Sequence, residues 1–176
     1  MMMAKAAVAA PVNVVIVEDD NVTRKVFSAA IESEPALRLV GAFDSVRPAL
    51  EWIKSTPVDL LLTDLGLPDG SGIDVIRACV GHWPRCGIMV ITMSSDDDSV
   101  LASIEAGAAG YVLKEAGRVD IVRALMDLHS GGSPISPLIA RTVLSRMRDA
   151  IPAPIELAAD DAGPVMLTPR ESPYLT

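Results

Sequence analysis

Five times between Val12 and His129 the chain passes from a short apolar run to a longer stretch with apolar residues at helical spacing. The runs are Val12–Val17, Leu37–Phe43, Val58–Thr63, Ile88–Ile91 and Tyr111–Leu113. Continuous apolar runs suit strands buried on both faces. Alternation with helices then predicts a parallel sheet covered on both sides. Asn21 is the expected cap of a first helix carrying Val26, Phe27, Ala30 and Ile31, stopped at Glu34-Pro35. Ser45 is the expected cap of a second, with Val46, Ala49, Leu50 and Ile53 on one face. A third carries Ile73, Ile76 and Val80. Ser95 precedes a fourth whose first turn is Asp96-Asp97-Asp98, suited to the positive end of the helix dipole, with Gly107 at its end. The fifth spans Val119–His129 and ends at Gly131-Gly132. The fold class is α/β, a doubly wound five-stranded parallel sheet. The order 2-1-3-4-5 is the expectation for this size.

After Gly132 the rhythm changes. Ser136-Pro137 is a cap-then-proline device, and a further helix should follow with Ile139, Val143 and Met147 along one side. Asp149–Pro164, rich in Ala, Pro and Asp, reads as a linker. The chain closes with LTPRESPYLT, where Thr168, Pro169 and Glu171 form the start of a capped helix that Pro173 interrupts. The expected organisation is an extension over 1–11, a domain over 12–130, a connector helix over 131–148, a flexible linker over 149–166 and a remnant over 167–176.

Half of the 176 residues are hydrophobic and only 3% aromatic, so the core must be aliphatic. The net charge of −8 repels phosphate backbones, and no basic stripe is present, which counts against DNA binding by the chain as given. No apolar run approaches the roughly 18 residues of a membrane span. The opening MMMAKAAVAAP has a faint signal-peptide character, but its apolar stretch runs straight into Glu18-Asp19-Asp20 and VNVVIV is needed for folding. Cys79 and Cys86 lack disulfide-scaffold or zinc spacing and read as a core thiol and a loop thiol in a reduced cytoplasm. His82 and His129 read as incidental.

In open parallel sheets the chemistry collects at the carboxyl ends of the strands. There the sequence places Glu18-Asp19-Asp20, Asp64, Thr92 and Lys114. Clustered carboxylates repel one another and call for a cation. An oxygen-only set without His or Cys suits Mg²⁺ or Mn²⁺ rather than zinc. Asp64, between the acids and Thr92/Lys114, is best placed as a nucleophile toward phosphorus. Lys114 and the metal would neutralise phosphoryl charge, and Thr92 would hydrogen-bond a phosphate oxygen. Taken singly, the acid pair is a helix cap or solvated turn, Thr92 caps a turn, Lys114 is a surface lysine and Tyr111 is packing. Their joint occurrence at successive strand ends carries the reading.

The stretches VIVEDDNVTR, VDLLLTDLGLPDGSGIDVI, VITMSSDDD and AGAAGYVLKEA resemble the receiver domain of bacterial two-component response regulators, over residues 12–130. The resemblance implies a flavodoxin-like fold. It makes Glu18 and Asp19 the metal-binding acid pair, Asp64 the phosphoacceptor and Gly66 the residue offering its backbone carbonyl to Mg²⁺. It makes Thr92 the switch hydroxyl, Lys114 the phosphate-pairing lysine and Tyr111 the switch aromatic. Met93 stands where the family often has alanine, and its bulk is expected to restrict the inward turn of Tyr111. Glu115 replaces a proline common after the lysine. GGSPISPLIARTVLSRM resembles the connector helix of the NarL/LuxR type, and LTPRE resembles the opening of its helix-turn-helix DNA-binding domain. That domain needs about 60 residues and is expected to be missing from this sequence.

The implied role is a cytoplasmic phosphoacceptor rather than an enzyme, with autodephosphorylation at most. Its implied partners are a sensor histidine kinase and, through dimerisation, a second copy or a full-length regulator. One alternative is a phosphorylation-independent interaction or sequestering module. A phosphatase or nucleotide-binding enzyme is disfavoured, because the first strand lacks a glycine-rich phosphate loop and the DxD-x-T pattern is absent.

Overall fold

A computed structural model describes residues 9–114 and 120–151. The chain divides into two units, Met1–Thr142 and Val143–Thr176, and the first carries the sheet and the site. Its elements follow in the order β1 (Val12–Val17), α1 (Asn21–Glu32), β2 (Leu37–Phe43), α2 (Val46–Ile53), β3 (Leu60–Thr63), β4 (Gly66–Leu67), β5 (Gly70–Ser71), α3 (Gly72–His82), β6 (Gly87–Thr92), α4 (Asp97–Ala106), β7 (Gly110–Leu113) and α5 (Ile121–His129). A last helix, α6, runs from Pro137 to Ala150 across the division.

The main sheet is parallel, in the order β2-β1-β3-β6-β7. This is the expected 2-1-3-4-5 once the two-residue strands β4 and β5 are set aside as a separate antiparallel ribbon. Helices cover both faces. α1 packs with α5 on one, and α2, α3 and α4 pack in series on the other. The strand period of two divides the apolar residues between these layers. Val14, Ile16, Leu60, Leu62, Met89, Ile91 and Val112 join Ile31 of α1 and Leu125 and Leu128 of α5 in one core. The opposite face carries Val15, Leu61, Ile88 and Val90 toward the second helix layer, whose buried residues include Ala49, Ile53, Ile76 and Val100.

Several helix starts differ from the sequence expectation. Asp20, not Asn21, caps α1, accepting from the Thr23 amide at 2.8 Å. Asp96, not Ser95, caps α4 through the amides of Asp98 and Ser99. A carboxylate has two acceptor oxygens and a charge that favours the helix N-terminus, so it wins over a neighbouring amide or hydroxyl. Ser45 precedes α2, but its hydroxyl makes no capping bond. Asp69, at the tip of the β4–β5 ribbon, accepts from the Val46 and Arg47 amides at 2.6 and 2.9 Å instead. Ser136 precedes α6, yet its hydroxyl accepts from the Leu113 amide at 3.0 Å. Together with the Tyr111 amide donating to the Pro134 carbonyl, this lays the segment before α6 along the edge of β7.

In α3 the buried face is Val75, Ile76 and Cys79, with Ile73 and Val80 only partly covered. Along α6, Ile139 is buried while Met147 is exposed. Gly107 closes α4 with a φ of 126°, which favours glycine. The fifth helix begins at Ile121 behind an Asp120 cap, and the expected start at Val119 lies outside the described residues. Glu115, most of the linker and the C-terminal remnant also lie outside them. Among the described residues no helix is long and apolar enough to cross a membrane.

Candidate functional site

Strand register assembles the site. Val17 pairs with Thr63 across β1 and β3, so the next residues, Glu18 and Asp64, emerge side by side at the carboxyl edge. Thr92 pairs with Leu113 across β6 and β7, so Lys114 emerges beside Thr92, its amide donating to the Thr92 carbonyl at 2.9 Å. The Lys114 side chain then spans the edge. Its Nζ lies 2.7 Å from Asp64 Oδ2 and 2.5 Å from Glu18 Oε1.

Glu18 is 1% exposed and Asp64 7%, an uncommon depth for carboxylates. Each is supported locally. Glu18 Oε2 accepts from the Asp20 amide at 3.0 Å, and Asp64 Oδ1 accepts from the Leu65 amide at 2.7 Å. Burial pushes the Glu18 carboxyl up, against the pull of the hydrogen bond from Lys114. Burial alone would lower Lys114, but its hydrogen bonds to Asp64 and Glu18 outweigh this and hold it above its ordinary value. The ammonium therefore stays charged and bridges two acids.

Asp19 is exposed, yet it offers an oxygen that, with one from Glu18 and one from Asp64, falls within a 4.8 Å cluster. Three carboxylates against one ammonium leave this cluster anionic. Oxygen donors alone and a residual negative charge fit a hard divalent cation such as Mg²⁺ or Mn²⁺. Gly66 opens β4 just after Asp64 and is exposed, and an added Cβ there would meet nothing within 4 Å.

Beside Asp64 opens a cleft of about 440 Å³, whose lining includes Gly66, Ser71, Thr92, Met93 and Ser99. Thr92 is buried, and its hydroxyl accepts from the Ser94 amide at 3.3 Å. Tyr111 is turned inward, 1% exposed, with its hydroxyl donating to the Ser94 carbonyl at 3.0 Å. Burial pushes the Tyr111 phenol up to about 12, so it remains a donor. Met93 stands beside Thr92 at the same cleft. Met93 is 55% exposed, and its side chain is spent largely on solvent.

Three contributors were not singled out from the sequence. Gly72 opens α3 so close to the acceptor strand that an added Cβ would fall 1.9 Å from the Asp64 carbonyl oxygen. Its amide donates to the Leu65 carbonyl at 2.8 Å. Arg24 donates to the Glu18 carbonyl at 2.8 Å and to the Asn21 side chain, bracing the β1–α1 turn. Ser94 ties the Thr92 hydroxyl to the Tyr111 hydroxyl through its own amide and carbonyl. A glycine directly after a capping serine was the only local signal among these, and it marks a close approach without naming what is approached.

Comparisons with known proteins show the family and the fold. The family model described as "Response regulator receiver domain" matches residues 14–126. The DNA-binding transcriptional activator DevR/DosR of Mycobacterium tuberculosis is 30% identical over 139 residues, covering 79% of this chain and 64% of that protein. A two-component response regulator of the LuxR family from Aurantimonas sp. SI85-9A1 superposes with a TM-score of 0.71 at 26% identity, covering 79% of this chain and 99% of that one. The isolated REC domain of RcsB from Salmonella enterica serovar Typhimurium, solved with the phosphomimetic BeF3-, gives a TM-score of 0.67 at 25% identity, covering 76% and 99%. The chain spans under two thirds of the length of the first curated relatives it matches.

Proposed function

The chain belongs to the response regulator receiver domain family of two-component systems, and from that premise we propose that Asp64 accepts a phosphoryl group from a phosphohistidine of a sensor histidine kinase. The observation that carries the proposal is the bridge from Lys114 Nζ to Asp64 Oδ2 and Glu18 Oε1 at the mouth of an open cleft. A carboxylate oxygen of Asp64 attacks phosphorus. The phosphorus–nitrogen bond breaks, its electron pair returns to the imidazole, and an aspartyl phosphate remains. Lys114 is positioned to stay with the transferred group and pair with its oxygens. Thr92 is positioned to donate its hydroxyl hydrogen to another phosphoryl oxygen, while its own oxygen accepts from the Ser94 amide. Mg²⁺ or Mn²⁺, held by Glu18, Asp19, Asp64 and the Gly66 carbonyl, would screen the negative charge that nucleophile and phosphoryl group share.

The output is a population shift. Thr92, Ser94 and Tyr111 form one hydrogen-bonded chain, so a new partner for Thr92 alters the surface around α4, β7 and α5. That surface would bind a second copy or a full-length regulator. A cytoplasmic location and the absence of turnover beyond self-dephosphorylation belong to the same proposal. A phosphorylation-independent binding role is the second reading.

Mg²⁺ with acetyl phosphate or phosphoramidate, followed by intact mass, tests the first reading. The expected outcome is a phosphoryl adduct on the wild type and none on Asp64→Asn. No adduct under conditions that label a control receiver would overturn it. Partner binding unchanged by Asp64→Asn would favour the second.

A further inference from the structure

At the amino end of the sheet, away from the acidic edge, two sulfurs face each other. Cys79 lies in the last turn of α3 and Cys86 in the turn entering β6, and their Sγ atoms are 3.2 Å apart. Both are free thiols, Cys79 buried and Cys86 half-buried. The backbone fixes this approach. The Trp83 amide donates to the Cys79 carbonyl at 2.7 Å, and the Cys86 amide donates to the Trp83 carbonyl at 2.9 Å. The Trp83 indole donates to the Ile53 carbonyl at 2.8 Å, and the Gly87 amide donates to the Asp59 carbonyl at 2.9 Å. The turn is thus anchored at its middle and at its exit. A disulfide bond is about 2.05 Å long, so the sulfurs need to close by only about 1.2 Å.

We propose that Cys79 and Cys86 are a redox modification site, an intrachain dithiol that a peroxide converts to a disulfide joining α3 to β6. Cys86 lines a surface cleft with Pro57, Asp59, Trp83 and Arg85, so it meets the oxidant first. Its sulfur attacks one peroxide oxygen. A sulfur–oxygen bond forms, the oxygen–oxygen bond breaks, and the leaving oxygen departs as water with the thiol proton. Cys79 then attacks the Cys86 sulfenic acid. The sulfur–sulfur bond forms, the sulfur–oxygen bond breaks, and the hydroxyl leaves as a second water with the Cys79 proton. Two thiols lose two electrons in all, and both peroxide oxygens are reduced.

The neighbouring Cys86 thiol holds Cys79 below its ordinary pKa, whereas Cys79 and burial push Cys86 up. The elements joined also flank the acceptor. α3 begins at Gly72 against the Asp64 carbonyl, and β6 ends at Thr92. Oxidation fastens them together at their far ends.

The test treats the full chain with hydrogen peroxide, then blocks remaining thiols with N-ethylmaleimide under denaturing conditions. Intact mass and peptide mapping are the readouts. The expected product carries no maleimide, has lost two hydrogens, yields a linked Cys79–Cys86 peptide and returns to the dithiol with dithiothreitol. Cys79→Ser should stop at a Cys86 sulfenic acid that dimedone traps, and Cys86→Ser should leave Cys79 unoxidised. If Cys79→Ser fails to fold, Cys79→Ala keeps the site apolar and gives the same readout. Two maleimides on the wild type at a peroxide dose that oxidises a control dithiol would overturn the proposal. So would a Cys86 sulfinic acid beside a free Cys79, or a disulfide formed only between chains.

Discussion

The two ends of the sheet are built from the same strands but solve different problems. At the carboxyl end, β1, β3 and β7 each release a charged residue, and Glu18, Asp64 and Lys114 meet in direct ion-pair contact. At the amino end, β6 is entered through a turn closed by backbone bonds between Trp83 and Cys86 and between Asp59 and Gly87. One end concentrates unbalanced charge and depends on close fitting to keep it there. The other satisfies its backbone locally. Electrostatic cost at the carboxyl end is thus the mark of a site that a divalent cation would relieve, whereas the amino end satisfies its polar groups within the chain.

The largest expected effect comes from removing the close fit at the carboxyl end. Gly72→Ala puts a Cβ where the Asp64 carbonyl oxygen lies 1.9 Å away, and α3 must shift. A loss of about 3 kcal/mol in urea unfolding is expected, from the cost of forcing atoms into a filled space. Gly81→Ala, at the α3 end toward the other edge, meets open space and serves as the matched control. Equal effects from the two would break the comparison.

Next is the ammonium. Lys114→Ala leaves Glu18 and Asp64 facing each other without their shared partner. Uncompensated buried charge makes a loss of about 2 kcal/mol the expected result, discounted because the lysine retains some exposure. Added Mg²⁺ should recover more stability in this variant than in the wild type, read as a shift in the thermal midpoint. No difference in recovery would show that the acids do not share one cation site.

The smallest effect sharpens the comparison by testing a charge that is fully solvated. The amides of Arg47 and Val46 hold the Asp69 carboxyl below its ordinary value. Its contribution is therefore present above the unfolded carboxylate pKa and lost as pH falls through the depressed folded value. Asp69→Ala should be slightly less stable than the wild type near neutral pH, and urea midpoints of the two should converge as pH falls below the ordinary aspartate range. A gap that widens on acidification would overturn the capping role.

Much of the fold was legible because it is written at short range. The β2 bounds Leu37–Phe43 and the Gly107 stop came from run length and residue type alone. The site was legible in part, because strand ends can be read from periodicity and a parallel sheet brings neighbouring ends together. Glu18, Asp64, Thr92 and Lys114 could all be placed at one edge for this reason, whereas Tyr111 was named only through the family resemblance. The caps were less legible. Asp69 reaches across 23 positions to cap α2, and Ser136 leaves its own helix to bond β7. No local window contains either contact.

The sequence by itself determined that this chain makes a doubly wound sheet with acids, a hydroxyl and a lysine along its carboxyl edge. Hydrophobic period and residue type are enough to set strand, helix and facing. Only the tertiary structure decided which acid is buried, which carboxylates share the ammonium, that Gly72 leaves room for the Asp64 backbone, and that two cysteines seven residues apart touch. Those outcomes depend on distances between segments, and distances follow from register, packing and desolvation rather than from the order of residues along a local stretch.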